Sequence, residues 1–498
     1  MKQELIINNK IRLGIAQLNA LAQCDTRIVI DSQIVNRLAE RRRTLEQYVA
    51  DSRDPVYGVN TGVGAMKTHI VSPETVTSFN ERMVRDHAAG FGEWLNPHTT
   101  RLSMAIRIFE LSLGGSGISV DTFLFLVECY NCGIIPVVPE FGSVGEADIT
   151  ILAHIARLTL GQGRVWRDDA VEKSISALER YNLTPIKLQA RDGLALIGGN
   201  SYTYAITVQA CVAWKHTRKF SGLAVALSWI AWHANVSCLR EDVLSAVDVR
   251  TVGIAAEILR WIGDTNIMPQ HIQDPLSWRC TPQLYAAMDS IQVRMEEQVL
   301  KDIHSTKDNP LVLDNGAVVS NGNFDITTLA LEIDALRNGL FRVMAIHAQR
   351  IAKLLNHHYS NLSPGLALTY GDAGLGLLDF NVSALMTEAD SMAKCPLAQV
   401  GEVAEGVEDY GSLASVAAQR LSRLIELWEI LVATEILSAI RAIALEDLVL
   451  DSELRSVVSI VNNIQSDTTL SPYDMVQAVR KWMKISATDD MTEQVSAD

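Results

Sequence analysis

Apolar residues recur with the 3.6-residue period of an amphipathic helix over four long stretches, 203–235, 283–305, 325–356 and 411–448. Runs beyond 25 residues predict a bundle of long helices rather than small globular ones. Upstream the pattern is shorter. Residues 1–55 predict one or two strands and then a helix from Ser32 to Val49. Residues 75–135 predict two or three helices, broken by the glycines of GGSGIS (114–119). Pro136, Pro139, Gly142 and Gly145 predict an irregular segment over 136–148, followed by a helix from Ile149 to Gly161 with Asp148 as its N-cap. The glycine-rich residues 357–410 predict a loop-rich interruption, and the acidic tail ATDDMTEQVSAD predicts disorder. The expected chain is mainly α, with an N-terminal region over 1–200, a long-helix bundle over 201–485 and a disordered tail over 486–498.

Composition narrows the function classes. With 48% apolar and 20% charged residues, the chain is an ordinary globular protein, which excludes a disordered chain, a collagen or a membrane bundle. Its 43 Lys+Arg and 58 Asp+Glu leave a net charge of −15, which argues against nucleic acid or an anionic membrane as the main partner. The basic run Arg41-Arg42-Arg43 reads as a solvated helix face. Seven thinly spread cysteines suit a reducing compartment. The CxxC of Cys129 and Cys132 lies in the apolar run FLFLVECYNCGII and reads as two core or helix-face thiols. The opening MKQELIINNK lacks the apolar core of a signal peptide, and the apolar run Leu223 to Trp232 is too short to span a bilayer, so a cytoplasmic protein is expected. The Gly-rich VYGVNTGVGA (56–65) lacks the lysine and hydroxyl of a phosphate loop and contains no GxGxxG.

Eight segments, in order, resemble the aromatic amino-acid lyase family, which includes histidine and phenylalanine ammonia-lyases. They are VYGVNTGVG (56–64), DHAAGFG (86–92), GSVG with DITILAH (142–154), DGLAL (192–196), QDPLSWRCTPQ (273–283), KDNPLV (307–312), SNGNF (320–324) and VEDYGSLASVAAQR (407–420). The resemblance implies a mainly α-helical fold with a long central bundle. It also implies a homotetramer in which each active site draws on three chains.

The family's chemistry rests on methylidene-imidazolone, formed when an Ala-Ser-Gly tripeptide of its own backbone cyclises and dehydrates. Here Glu146-Ala147 stand where that tripeptide belongs, one residue shorter. With no serine to dehydrate and no glycine nitrogen to close the ring, no such cofactor is expected. Its supporting asparagine and tyrosine are Gly198 and Leu276 here.

Other positions keep the family's polar pattern. Tyr57 matches the catalytic tyrosine, a general base whose pKa the neighbouring dipoles are expected to lower. Gly62 and Gly64 allow close backbone approach, and Gly64 joins the expected binding set. Arg279 matches the carboxylate-binding arginine, and Asn309 either supports the same carboxylate or forms an Asx-turn before Pro310. Asp86 and His87 occupy the pair that sets side-chain preference, and Glu408 matches the histidine-type residue. Together they imply a polar, nitrogen-bearing substrate, although Asp86 could instead pair with Arg82 or Arg85. Asp325 stands where histidine-type members carry a histidine.

Glu146 is expected to be ionised by the helix that follows and to act where the electrophile would have stood. The favoured reading is a cofactor-free lyase-like enzyme, with an inactive ligand-binding homologue as the alternative. A third reading, Mg²⁺ or Mn²⁺ held by Glu146, Asp148, Asp86, Glu408 and Asp325, is less favoured. His357 and His358 read as surface residues.

Overall fold

The computed structural model of the protein describes residues 3–52, 55–369, 371–395 and 401–494. The chain divides into two units. The first comprises Met1–Val212, Arg294–Ile333 and Pro396–Gln419, and the second Ala213–Val293, Asp334–Cys395 and Arg420–Asp498. The division is therefore discontinuous, not the single cut near residue 200 read from the sequence. Helices Ser201–Ala231, Thr281–Ile303, Thr327–Leu355 and Ala414–Leu445 each run through a unit boundary. Their ends fall within a few residues of the periodic stretches, because burial of one helix face imposes that period for as long as the helix runs.

The first unit carries the short strands. Gln3–Ile7 pairs in parallel with Thr26–Ile30, and Phe91–Trp94 pairs antiparallel with Pro139–Phe141. Ile135–Pro136, Arg164–Arg167 and Ala170–Lys173 form a three-stranded sheet. Between them helix Pro97–Ser112 is buried on every side from Thr99 onward. Its two arginines find internal partners: Arg101 donates to Gln23 O, Thr26 O and Tyr130 O, and Arg107 pairs with Glu110 and Asp308. In the second unit Trp214, Trp229, Trp278 and Trp428 are fully buried. There the Glu435 carboxylate accepts from Arg350 Nε at 2.6 Å, from Ser228 Oγ at 2.5 Å and from His347 Nδ1.

Three expectations need correction. The segment 357–410 contains a helix, Leu378–Ala393, whose buried Leu378, Val382, Ala389 and Ala393 keep helical spacing between glycine-rich flanks. The tail helix Pro472–Gln494 extends through most of the stretch read as disordered, and 495–498 lie outside the described residues. Arg42 is not solvated: it donates to Gly117 O and Ala190 O and lies 3.7 Å from Asp192. The thiol of Cys129 is buried, and burial pushes its pKa up, as befits a core cysteine. Among the described residues no helix is long and apolar enough to cross a membrane.

Candidate active site

A cavity of about 80 Å³ in the first unit is lined by Tyr57, Glu146, Asn309 and Glu408, with Ala147, Gly198, Lys307 and Phe324 between them. Four residues singled out from separate motifs thus share one hollow. It is smaller than the ~300–1,000 Å³ of ordinary ligand pockets, so it has room for the reacting end of a substrate.

Tyr57 is positioned by its own loop. Gly64 N donates to Tyr57 Oη at 2.8 Å, which stabilises a phenolate. Gly64 can turn the chain there because it sits at φ +55°, where an added Cβ would press on Ala404 at 3.2 Å. The binding role expected of Gly64 becomes one of holding the tyrosine. The expected lowering of the Tyr57 pKa is overturned. Burial raises it, and the charge of Glu408 adds to that, against the opposing Gly64 N–H and Arg191.

Glu146 is held by segments distant in sequence. Its main chain forms an antiparallel bridge with Asp325, and its Oε1 accepts from Ser412 N at 2.9 Å. Ser412 Oγ donates to Gly145 O and Leu413 N to Val144 O, stitching the two loops together. Gly145 is required here: at φ +86° its added Cβ would lie 2.3 Å from Ser412 Oγ. Glu146 is not kept ionised as the sequence suggested. Burial raises its pKa to about 7, the Ser412 N–H opposes this, and Asp325 raises it further by charge and by a side-chain hydrogen bond. A helix terminus with its own cap and turns cannot offset that desolvation. Glu408 is also shifted upward by burial, with His87 opposing.

The same segment tests the fit to methylidene-imidazolone. Ring closure needs a serine side chain and a free following backbone nitrogen. Here the side chain is Glu146, Ala147 N donates to Asn200 Oδ1, and Asp148 N donates to Gly199 O. Ala147 holds φ +67°, a left-handed conformation that a non-glycine residue adopts only when its surroundings impose it. These residues do not fit the group.

Asp148 begins helix Ile149–Ala156 but does not cap it. Its Oδ2 accepts from Thr203 N, and its Oδ1 from Thr203 Oγ1 and Ser143 Oγ, so it caps the first turn of the long helix Ser201–Ala231 instead. Asn309 Oδ1 accepts from Ser320 Oγ and Asn321 N, not from an Asx-turn, which leaves Nδ2 as the atom able to meet a carboxylate. Asp86 is exposed and paired with Arg85 at 3.1 Å. His87 donates from Nδ1 to Met83 O, so its Nε2 is the open nitrogen. Arg279 belongs to the second unit. Its Nε donates to Asp274 O, and its terminal nitrogens have no ion pair or hydrogen bond among the described residues.

Of the five carboxylates weighed as metal ligands, Glu146 and Glu408 share the cavity, while Asp148 faces Thr203, Asp86 faces Arg85, and Asp325 caps Thr327 N. Among the described residues no three His, Cys, Asp or Glu gather to hold a metal ion. Lys307 was missed. It lies inside the KDNPLV motif, which was read only for Asn309, yet it lines the cavity and pairs with Asp302 at 2.8 Å. Ser412 was missed too, and only its place in the VEDYGS motif could have flagged it.

Known proteins with the same pattern can now be set beside this geometry. The family described as aromatic amino acid lyase matches residues 13–463. Histidine ammonia-lyase of Streptococcus gordonii is 30% identical over 441 residues, covering 87% of this chain and 86% of that protein. The fold is similar to histidine ammonia-lyase from Trypanosoma cruzi, with a TM-score of 0.86 and 26% identity over 97% of this chain and 94% of that one. It is also similar to the ergothioneine-degrading enzyme ergothionase from Treponema denticola, solved with desmethyl-ergothioneine sulfonic acid. There the TM-score is 0.91, with 24% identity over 97% and 99% of the two chains.

Proposed function

The chain belongs to the aromatic amino acid lyase family, and from that premise we propose that it is a lyase that eliminates an amine without methylidene-imidazolone. The substrate is an amino-acid-like carboxylate with a polar, nitrogen-bearing side chain and a quaternary α-nitrogen. The observation that carries this reading is Glu146, a carboxyl of pKa about 7 that shares the Tyr57 cavity at the position where the electrophile would have formed.

The nature of the leaving group follows from what Glu146 can and cannot do. It accepts no electron pair, so it cannot activate an amine by bonding to it. A primary ammonium is a poor choice, because a phenolate would take its N–H proton before a carbon-bound one. A trialkylammonium has no N–H, so the base must act at carbon. Tyr57 Oη takes the β-proton, the C–H pair forms the Cα=Cβ bond, and the Cα–N pair leaves with a neutral tertiary amine. Glu146 and Glu408 supply the negative surroundings for the cationic nitrogen, and its arrival favours the ionised form of both. Asn309 Nδ2 holds the carboxylate, and the family resemblance, with sites shared between copies of the chain, implies a second grip from the Arg279 fork of another copy. His87 meets the nitrogen-bearing side chain. The same resemblance supports a homotetramer with shared sites.

Three measurements test the proposal. The intact mass should equal the residue sum, and a deficit of two waters within residues 142–148 would overturn the cofactor-free reading. Ergothioneine, an imidazole amino acid with a trimethylated nitrogen, should release trimethylamine, while histidine should not be deaminated. Glu146→Gln should lower kcat/KM by roughly 10- to 100-fold, the scale of a lost charge-assisted contact to the cationic nitrogen, with little loss of stability. Unchanged kinetics in that variant would remove the carboxylate from the chemistry.

A further inference from the structure

A second cavity of the first unit encloses about 960 Å³ and holds none of the residues assigned above to catalysis. That volume lies at the upper end for small-ligand pockets, ~300–1,000 Å³. Its walls bring together Arg85, Arg157, Arg164 and Lys173, and no Asp or Glu lines it among the described residues. Arg85 is paired with Asp86, but in a chain whose acids outnumber its bases by 58 to 43, the other three cations around a hollow without a lining carboxylate form a local field of opposite sign to the whole.

Two of its polar atoms lack partners. His154 Nε2 and Arg157 Nε are buried without a hydrogen bond. These two atoms are themselves closed off from solvent, and it is the rest of the two side chains that lines the hollow. Burial, and then the charge of Arg157, hold the His154 imidazole down at about 4, so it is neutral at pH 7 and can donate or accept. The lining also carries an indole. The Arg164 guanidinium lies 4.7 Å over the Trp94 ring, and Trp166 meets Trp94 edge-on at 5.6 Å. Trp94 remains 45% exposed, leaving a stacking surface beside the cations.

We propose that this cavity binds a nucleoside polyphosphate, with its phosphates on Arg157, Lys173 and His154 and its base against the Trp94–Arg164 stack. Guanidinium forks match phosphate oxygens, and several cations without a carboxylate call for a multivalent anion. A planar base fits the indole wall. The site is a concave hollow, not a basic stripe, which suits a small ligand and not a nucleic-acid strand.

Calorimetry on the full-length protein at about 150 mM salt, with ADP, pyrophosphate and adenosine as probes, tests both halves of the site. ADP should bind roughly tenfold tighter than pyrophosphate, and adenosine weakest. The double variant Arg157→Gln/Lys173→Gln should weaken ADP by roughly tenfold or more. Trp94→Ala should weaken ADP while sparing pyrophosphate. If the double variant does not fold, Lys173→Gln alone, at an exposed strand end, should still weaken ADP severalfold. Absence of heat and of thermal stabilisation with both anions at millimolar concentration would overturn the site. So would ADP affinity unchanged in these lysine and arginine variants. Equal binding of ADP and pyrophosphate, indifferent to Trp94→Ala, would overturn the base-stacking half.

Discussion

Glu435 and Glu146 are both carboxyls drawn out of bulk water, and their pKa values move in opposite directions. Burial alone would push Glu435 up, but the Arg350 and His347 charges outweigh it and hold the group at about 2. Glu146 is only half-buried, yet burial raises it to about 7, because no cation opposes that desolvation: Ser412 lowers it by hydrogen bonding and Asp325 adds to the rise. The decisive variable is therefore not depth but whether the fold supplies a cation. In the second unit it does, with hydrogen bonds to most remaining atoms, and the result is a fixed internal ion cluster. In the cavity of Tyr57 and Glu408 no cation is fitted to the acids, although Lys307 is close by and tied to Asp302. A site left short of positive charge is suited to receive it from a ligand.

The largest way to break this contrast is to remove the cation from Glu435. Arg350→Met should cost about 3–5 kcal/mol, because it leaves a buried carboxylate without its main partner. In the natural protein the Glu435 contribution is present above the ordinary carboxylate range and is lost as the pH falls toward about 2. In the variant the Glu435 pKa should rise, so the deficit should shrink on acidification as the group takes up a proton. Denaturant unfolding at pH 7 and pH 4 measures both effects.

Asp148 comes next. It is fully buried and accepts from Thr203 N, Thr203 Oγ1 and Ser143 Oγ. Asp148→Asn turns an amide donor toward other donors and should lower stability by about 1.5–3 kcal/mol, the scale of a charge-assisted hydrogen bond. Turnover per folded molecule should survive, which separates this structural acid from Glu146 two residues earlier.

The smallest expected effect sharpens the comparison most. Asp325→Asn keeps an oxygen able to cap Thr327 and leaves the main-chain bridge to Glu146 untouched. It removes a charge that adds to burial in raising the Glu146 pKa. Under the proposed chemistry, kcat/KM rises with pH as Glu146 ionises, and this rise should move to lower pH by about one unit, roughly 1.4 kcal/mol. An unmoved pH profile would detach that limb from Glu146.

Periodic signals were legible along the chain, and choices of partner were not. The long helices could be bounded within a few residues because burial imposes a local 3.6-residue rhythm. Helix Leu378–Ala393 escaped notice because its glycine-rich flanks dominated the segment. The resemblance picked out Tyr57, Glu146, Asn309 and Glu408, and the fold gathers all four. It could not reveal that Asp148 caps a different helix, that Arg42 turns inward or that Asp325 bridges to Glu146 and raises its pKa. Each of these depends on a residue far away in sequence, and no window along the chain contains it. The Tyr57 and Glu146 pKa directions failed for a related reason: dipoles can be inferred from local sequence, but desolvation comes from everything packed around a group.

The stitching of Glu146 to Ser412 also bears on the order in which the protein folds. That hydrogen bond joins residues 266 positions apart, and the neighbouring bond from Ser415 Oγ to Ser143 O spans 272. Helical turns close within a few residues and form early, whereas loops of this length carry a large closure entropy before any contact rewards them. The Glu146 carboxyl thus takes its place only after the chain has formed nearly all of its helices. A truncated or stalled chain would be rich in helix and still have no site, and amide exchange at Ser412 would report completion of the enzyme better than helix content does.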